Sequence, residues 1–332
     1  MAHEVETMAY ANSVPWHGLG ARVDGDVSVE EMLKAAGLDW RLRRVPLKLS
    51  VDAMDDSEGM ESFDGAIVDD KFAHVRDTDG KIMAVSSGSW TPMQPEETIG
   101  FMRSYVAAGA ATLETAGSLR GGKVVWGLAR LNHNFEVRAG DRVNGYVLIT
   151  SPNTVGTAIT VRTTTVRVVC ANTMALANAD GMGETHYRQT HMTGFDHKAA
   201  KEALGDAHEQ LAQAERNAKI LDKLKISASD AVTKVLAPVF YPELVEEGSE
   251  AVNALMMPES RPRKMTEILT SIVEGAGQKE IGGTGWAVLN GVTYWADHVT
   301  GRSNASRLNR AWLGDTGKAK LAVEAKLLEL AQ

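Results

Sequence analysis

Apolar and polar residues alternate through the middle of this 332-residue chain, and such alternation, rich in β-branched side chains, is typical of strands. The segments that show it are 112–119, 123–131, 142–150 and 158–169. Upstream, an Asp-Gly turn joins the short apolar runs 73–76 and 81–85 and predicts a β-hairpin. A helix then begins at Pro95. Hairpins mixed with helices favour an α+β fold with a mostly antiparallel sheet.

After about residue 195 the pattern becomes helical. Apolar residues recur at alternating spacings of four and three, at Ala200, Leu204, Ala207, Leu211, Ala214, Ala218 and Leu221. This seam predicts a long amphipathic helix over 197–225 that packs either on another helix of the same chain or on a second copy. Further helices are predicted at 228–238, 264–276, 284–298 and 316–331. The chain is therefore divided into an α+β sheet domain, 1–195, and a helical region, 196–332.

The composition indicates an ordinary globular protein, since 44% of the residues are hydrophobic. The single cysteine, Cys170, excludes an intrachain disulfide framework and a paired-cysteine zinc site. The N-terminus has no apolar leader and no apolar run reaches the length of a membrane span, so a cytoplasmic location without membrane contact is expected. A net charge of −8 argues against a surface that is basic all round, but it allows a local basic groove.

Aromatic and basic residues are interleaved on two neighbouring strands. Tyr146 shares a strand face with Arg142, and Trp126 shares a face with Arg130. Sheet surfaces of this kind can stack single-stranded bases between cationic side chains. The alternative is that Trp126 belongs to the core and Tyr146 is merely amphipathic.

Basic side chains on or near these strands are candidate phosphate contacts. They are Arg120, Lys123, Arg142, Arg162, Arg167 and Arg188. Arg162 and Arg167 are five positions apart, so only a bulge near 163–165 would bring them to one face of the strand. A structural ion pair or an exposed edge position would explain each of these two arginines as well. Arg188 is expected to lie near Arg167 around a shared groove.

A helix is predicted to begin directly after the last strand, with Asn172 or Thr173 as its N-cap. A helix N-terminus beside arginines can hold an anion, because its free amides and its dipole both favour negative charge. Capping alone explains the two residues equally well.

Histidines are clustered at one place in the sequence, at His186, His191 and His197. Their spacings of five and six match no standard zinc pattern, so no metal is predicted. No phosphate-binding loop, nucleophile elbow or dinucleotide fingerprint is present, and no cofactor is predicted. An enzymatic alternative places a polar pocket near residues that are distant in sequence, namely His17, Arg167, Arg188 and His191, joined by Asp297 and His298.

Several sequence blocks resemble the phage/plasmid-like proteins of unknown function that occur in actinobacterial phages, plasmids and integrated elements. The blocks are 16–20, 114–122 with Val125-Trp126, 166–173, 188–194, and 283–287 with Asn290, Asp297 and His298. The resemblance implies a mobile genetic element in the cytosol of a bacterial host and supplies no reaction. Phage proteins with a curved antiparallel sheet followed by a helix include the single-strand annealing recombinases, which is an analogy of fold only.

Together these patterns favour a non-enzymatic protein that binds single-stranded DNA in recombination or annealing. The basic side chains would contact phosphates, and Tyr146 or Trp126 would stack on bases. The alternative is an oligomeric protein-interaction or host-takeover module that self-associates through Leu204, Leu211 and Leu221. The third reading is the enzyme described above.

Overall fold

The structure, a computed structural model, describes residues 5–11, 19–25, 27–50, 65–167, 172–175, 187–205, 207–301 and 315–332. Its fold is α+β, as predicted, with a mostly antiparallel main sheet, a small second sheet and a helical C-terminal region. Among the residues that the structure describes, no helix is both long and apolar enough to cross a bilayer.

The main sheet contains eight strands in the order β10-β9-β8-β7-β6-β1-β2, with β11 also paired to β9. Its strands are β1 (Val5–Ala11), β2 (Ala21–Val23), β6 (Ala111–Leu119), β7 (Val124–Glu136), β8 (Arg142–Pro152), β9 (Ala158–Arg167), β10 (Asn172–Ala175) and β11 (Tyr187–Thr190). The second sheet consists of β3 (Leu42–Lys48), β4 (Ile67–Arg76) and β5 (Ile82–Ser86). All pairings between these strands are antiparallel except the one between β1 and β2.

The helices of the first two thirds of the chain are α1 (Val29–Ala35), α2 (Pro95–Gly100), α3 (Arg103–Ala107), α4 (His197–Ala203) and α5 (Ala207–Lys223). Those that follow are α6 (Ala228–Asp230), α7 (Ala237–Phe240), α8 (Pro242–Glu247), α9 (Ser249–Ala254), α10 (Arg263–Glu274), α11 (Gly285–Tyr294) and α12 (Asp315–Leu330). Two π-helical segments, Ala231–Leu236 and Trp295–Val299, continue α6 and α11. The helices predicted at 228–238, 264–276, 284–298 and 316–331 are thus confirmed, two of them with a π-helical part.

Helices α1 to α5 cover one face of the main sheet. Val147 and Ile149 of β8 lie in the large apolar core on this side, together with Ile99 of α2 and Leu211 of α5. Tyr146 belongs to a separate cluster on the opposite face. The predicted alternation along β8 is therefore confirmed.

The opposite face of the main sheet carries its own apolar cluster. Its buried members come from β1, β6, β7 and β8 and are Met8, Leu119, Val124, Trp126, Leu128, Tyr146 and Leu148. Trp126 is 0% exposed. The interpretation of Trp126 as a core residue is the one that the structure supports.

The single helix predicted over 197–225 is two helices, because α4 ends before Gly205 and α5 begins after it. Leu204 and Leu211 pack into the core beneath the sheet, and Leu221 packs among the C-terminal helices. A Cβ at Gly145 of β8 would lie 2.7 Å from a methyl carbon of Leu211, so this glycine lets α5 approach the sheet closely. The seam thus contacts the chain's own sheet and helices. Self-association through it stays a prediction that would require these contacts to open.

The C-terminal helices surround a second core that is centred on α11. Phe135 and Val143, at the ends of β7 and β8, belong to this core, while Leu204 and Leu211 belong to the core of the sheet. Both cores therefore cross the predicted boundary between 1–195 and 196–332, and that division stays a prediction.

Candidate functional site

Two arginines lie as diagonal neighbours on one face of the main sheet. Arg188 of β11 pairs with Thr160 of β9, and Arg162 is two residues further along β9. Residues two apart on a strand share a face, and diagonal cross-strand neighbours are about 7–8 Å apart. The same face continues across β8 and β7 through Tyr146 and Arg130, which pair with each other. We call this surface, with Arg130, Tyr146, Arg162 and Arg188, the arginine face.

No ion pair between described residues includes Arg162. Its Nε and Nη2 atoms are excluded from solvent, and neither has a hydrogen-bond partner among the described residues. Burial lowers the pKa of the guanidinium to about 10, so the group remains charged at neutral pH. An unpaired buried charge costs several kcal/mol. This arrangement would be relieved by an anion that reaches the guanidinium.

Arg130, in contrast, is paired on the same face. Its Nε lies 3.2 Å from Oε1 of Glu114, a buried carboxylate on β6. The register of β6 against β7 shifts between Leu113 and Thr115, at the position of Glu114. The charge of Arg130 is therefore compensated by Glu114 within the fold.

Tyr146 stands between the paired and the unpaired arginine. Burial, with a smaller contribution from the Glu114 carboxylate, raises the pKa of its hydroxyl to about 12. The phenol therefore remains protonated and can donate a hydrogen bond. Its ring is only 7% exposed, so it cannot stack on a base unless its neighbours move. Base stacking by Trp126, which is fully buried, meets the same obstacle.

Arg188 lies at the accessible end of the arginine face. It is exposed, and no ion pair between described residues includes it. The hydroxyl groups of Thr150 and Thr160, the cross-strand pair that follows it across the sheet, are 2.7 Å apart. An anion between Arg188 and Arg162 would therefore have one exposed cation and one buried cation within reach.

The outer edge of β9 is shared by two strands. The end that runs from Thr164 to Arg167 pairs with β10, and the other end, from Ala158 to Val161, pairs with β11. Arg162 and Thr163 lie between the two pairings. This junction is where the unpaired guanidinium is located.

The other predicted phosphate contacts do not join this site. Arg120 and Lys123 lie at the turn between β6 and β7, whereas Arg142 lies at the opposite end of β8. Ten residues of β8 separate the two ends, which corresponds to about 33 Å. The six basic residues therefore do not line one continuous groove.

Arg167 pairs with Val143 at the end of β9, and its side chain lies outside what the structure describes. β9 pairs with β8 without a register shift from Thr160 to Arg167, so the expected alternative of a bulge near 163–165 is not realised. The neighbour of Arg162 on the arginine face is Arg188. The groove between Arg167 and Arg188 stays a prediction.

The helix start predicted at Asn172 or Thr173 is also wrong. Residues Asn172–Ala175 form β10, which pairs antiparallel with β9. Cross-strand hydrogen bonding with β9 prevails over the capping tendency of Asn and Thr, because local preferences yield to tertiary pairing. An anion site at a helix N-terminus is therefore absent from these two residues.

His191 is buried beside the second sheet. Its ring stacks on Trp90 at 4.7 Å between centroids, and its Nδ1 lies 3.0 Å from the carbonyl oxygen of Thr91. The Trp90 ring also meets His74 edge-on, with 4.5 Å between the ring centroids. Burial lowers the pKa values of both histidines, which makes the neutral form prevail. Sequence reasoning missed His74 and Trp90 because no motif marks them.

The described residues of the enzymatic alternative belong to different elements of the fold, and that alternative stays a prediction. Asp297 lies in the helical region and forms an ion pair with Lys320, whereas His191 packs on Trp90. His17 and His186 lie outside the described residues. Within the described part of the chain, no three side chains of His, Cys, Asp or Glu are grouped so that they could hold a metal ion.

A family model described as a domain of unknown function, DUF932, matches residues 82–312. The match extends from β5 to the segment before α12 and includes the whole arginine face. No curated protein and no solved structure matches the chain. Because the matched residues make up well over half of the sequence, the chain belongs to the DUF932 family.

Proposed function

We propose that this protein binds single-stranded DNA, with a phosphate held between Arg162 and Arg188 on the arginine face. The observation that carries the proposal is the half-buried side chain of Arg162, whose Nε and Nη2 are excluded from solvent and have no partner among the described residues. The phage or plasmid setting and a role in recombination or annealing belong to the same proposal. The setting is supported by the resemblance of the sequence to phage/plasmid-like proteins, and the role by an analogy of fold with the annealing recombinases.

The energetics favour a strongly acidic ligand. A buried cation without a counter-charge destabilises the unliganded fold, and a bound anion recovers that energy as affinity. The planar guanidinium donates two parallel hydrogen bonds to a phosphate, which makes arginine better suited than lysine to this role. The protonated hydroxyl of Tyr146 supplies a further donor on the same face.

A flexible strand suits this face better than a duplex does. The Arg162 guanidinium is recessed, whereas Arg188 is exposed. A flexible single strand can turn one phosphate inward past Arg188 toward Arg162. The regular backbone of a duplex holds every phosphate at the same distance from the helix axis, so none can turn inward. The contribution of base stacking is small in this proposal, because the rings of Trp126 and Tyr146 are buried.

The proposal is tested by fluorescence anisotropy with labelled single-stranded and duplex oligonucleotides at about 50 and 200 mM salt. The intact protein is expected to prefer the single strand and to bind it more weakly at higher salt. Arg162→Met should reduce this affinity at least tenfold. Arg216→Met, which removes an exposed arginine of α5 that pairs with Glu209, serves as the matched control and should bind like the intact protein. Absence of single-strand binding at the lower salt would refute the proposal.

A further inference from the structure

A pocket of about 510 Å³ opens among the C-terminal helices, and none of its lining residues belongs to the arginine face. Its walls are formed by α7, the N-terminal ends of α10 and α12, and the second π-helical segment. The residues that line it include Phe240, Lys264, Glu267, Trp295 and Thr316. Pockets that accept small molecules generally have volumes of about 300–1,000 Å³.

Two aromatic rings form a corner of this pocket. Phe240 and Trp295 meet edge-to-face, with 5.7 Å between their ring centroids. Phe240 closes the helix that follows the first π-helical segment, and Trp295 is the first residue of the second. π-helical turns are rare and are found frequently at functional sites. The corner offers a flat apolar surface for a planar ring.

A cation borders the same corner. Nζ of Lys264 lies 4.9 Å from the ring centroid of Phe240 and 5.0 Å from that of Tyr241. None of the ion pairs between described residues includes this ammonium group. Partial burial lowers the pKa of Lys264, although the nearby Glu243 carboxylate acts in the opposite direction. An anionic group of a ligand would stabilise the ammonium charge in place of the water lost through burial.

Oxygen-bearing side chains, one hydroxyl and two carboxylates, complete the lining of the pocket. Thr316 is 3% exposed, and its hydroxyl has no hydrogen-bond partner among the described residues. Oε2 of Glu267 accepts a hydrogen bond from Nε1 of Trp295 at 3.2 Å, and Oε1 pairs with Nε of Arg263 at 2.8 Å, so the carboxylate is fixed beside the aromatic corner. Asp315 adds a second carboxylate at the first turn of α12. These oxygens can accept hydrogen bonds from N–H groups of a ligand.

We infer that this pocket binds a small aromatic anion with N–H donors, the chemistry of a nucleoside monophosphate. The ring packs in the corner of Phe240 and Trp295, and the phosphate lies against Lys264. The carboxylates face the amino groups of the base, and the Thr316 hydroxyl hydrogen-bonds with the ligand. The site is separate from the arginine face and does not depend on DNA binding there.

Isothermal titration calorimetry of the full chain with dAMP, deoxyadenosine, inorganic phosphate and phenylalanine tests this assignment. We expect dAMP to bind with a dissociation constant below about 1 mM and deoxyadenosine to bind at least tenfold more weakly. Lys264→Met should weaken dAMP binding at least tenfold, and Thr316→Val should weaken it about threefold to tenfold. Lys223→Met, an exposed lysine of α5, makes the same charge change outside the pocket and should leave binding unchanged. Melting temperatures of all variants show whether they are folded.

Three results would overturn the inference: no dAMP binding at about 1 mM, phenylalanine binding more tightly than dAMP, or a folded Lys264→Met variant with unchanged affinity. Arg162→Met should bind dAMP normally, so failure of the DNA-binding proposal leaves this one standing. A 5′-phosphorylated oligonucleotide that competes with dAMP would identify a strand end as the source of the ligand. Failure to compete would identify a free nucleotide instead.

Discussion

Two cations of this protein whose charged nitrogens are shielded from solvent differ in what surrounds them. In the helical region, Nζ of Lys320 lies 2.5 Å from Oδ1 of Asp297, and their side chains are 3% and 0% exposed. On the arginine face, Arg162 has no carboxylate partner among the described residues. The first cation is compensated within the fold and stabilises it. The second destabilises the unliganded fold, which is typical of a group that serves a ligand.

The largest effect is expected from breaking the compensated pair. Lys320→Met leaves the Asp297 carboxylate buried and uncompensated and should reduce the free energy of unfolding by about 3–5 kcal/mol. Chemical denaturation measures this change. The double variant Lys320→Met/Asp297→Leu should recover most of the loss, because two apolar side chains replace the ion pair. A single variant as stable as the intact protein would contradict the structural role of the pair.

One turn further along α12, Glu324 makes the helical region sensitive to pH. Burial raises the pKa of its carboxyl from 4.5 to about 7, an effect that the hydrogen bond from Nδ2 of Asn217 opposes. Because the folded pKa exceeds the unfolded one, the stabilisation is present below about pH 4.5 and is lost as the pH rises to about 7. Glu324→Gln should remove up to about 3 kcal/mol of this dependence. Urea unfolding of both proteins at pH 5 and pH 7.5 measures this dependence. An equal change in the free energy of unfolding between the two pH values would contradict the prediction.

Arg162→Met should change the free energy of unfolding in the direction opposite to Lys320→Met. Replacing an unpaired buried guanidinium with an apolar side chain is expected to stabilise the unliganded protein by about 1–3 kcal/mol, visible as a higher melting temperature. Binding of single-stranded DNA should be lost at the same time. If the variant is less stable than the intact protein, Arg162 is a structural residue and the comparison between the two cations fails.

Arg188→Met should have the smallest effect on stability, within about 0.5 kcal/mol, because an exposed side chain without an ion pair among the described residues is replaced. Affinity for single-stranded DNA should fall several-fold, and the slope of log affinity against log salt should decrease by about one. Anisotropy titrations at several salt concentrations provide both values. An unchanged slope would place Arg188 outside the phosphate contact.

The sequence predicts the α+β fold because its signals are local. Alternation along β8 correctly separates Val147 and Ile149 from Tyr146, and the helices of the C-terminal third follow their apolar periodicity. The heptad pattern does not predict the break between α4 and α5 at Gly205, because the apolar spacing continues without interruption across it.

The site depends on contacts that are distant in sequence. Arg188 meets Arg162 only because β11 returns to β9, and nothing near either residue specifies that pairing. Whether Trp126 and Tyr146 are exposed is likewise decided by what packs over the sheet, so strand periodicity gives their face but not their accessibility. Lys264 and Trp295 come together from different helices, and the sequence carries no motif for such a pocket.

The far edge of the main sheet has a consequence for solubility. β2 has only three residues, carries the exposed Arg22 and runs parallel to β1, so it offers little edge to a neighbouring molecule. β1 in turn covers β6, a strand of nine residues that is almost entirely buried. Loss of the β1-β2 segment would leave one edge of this long, buried strand unpaired, while its other edge stays paired with β7. Aggregation through that edge is therefore the form of misassembly against which the short, charged strand protects the molecule.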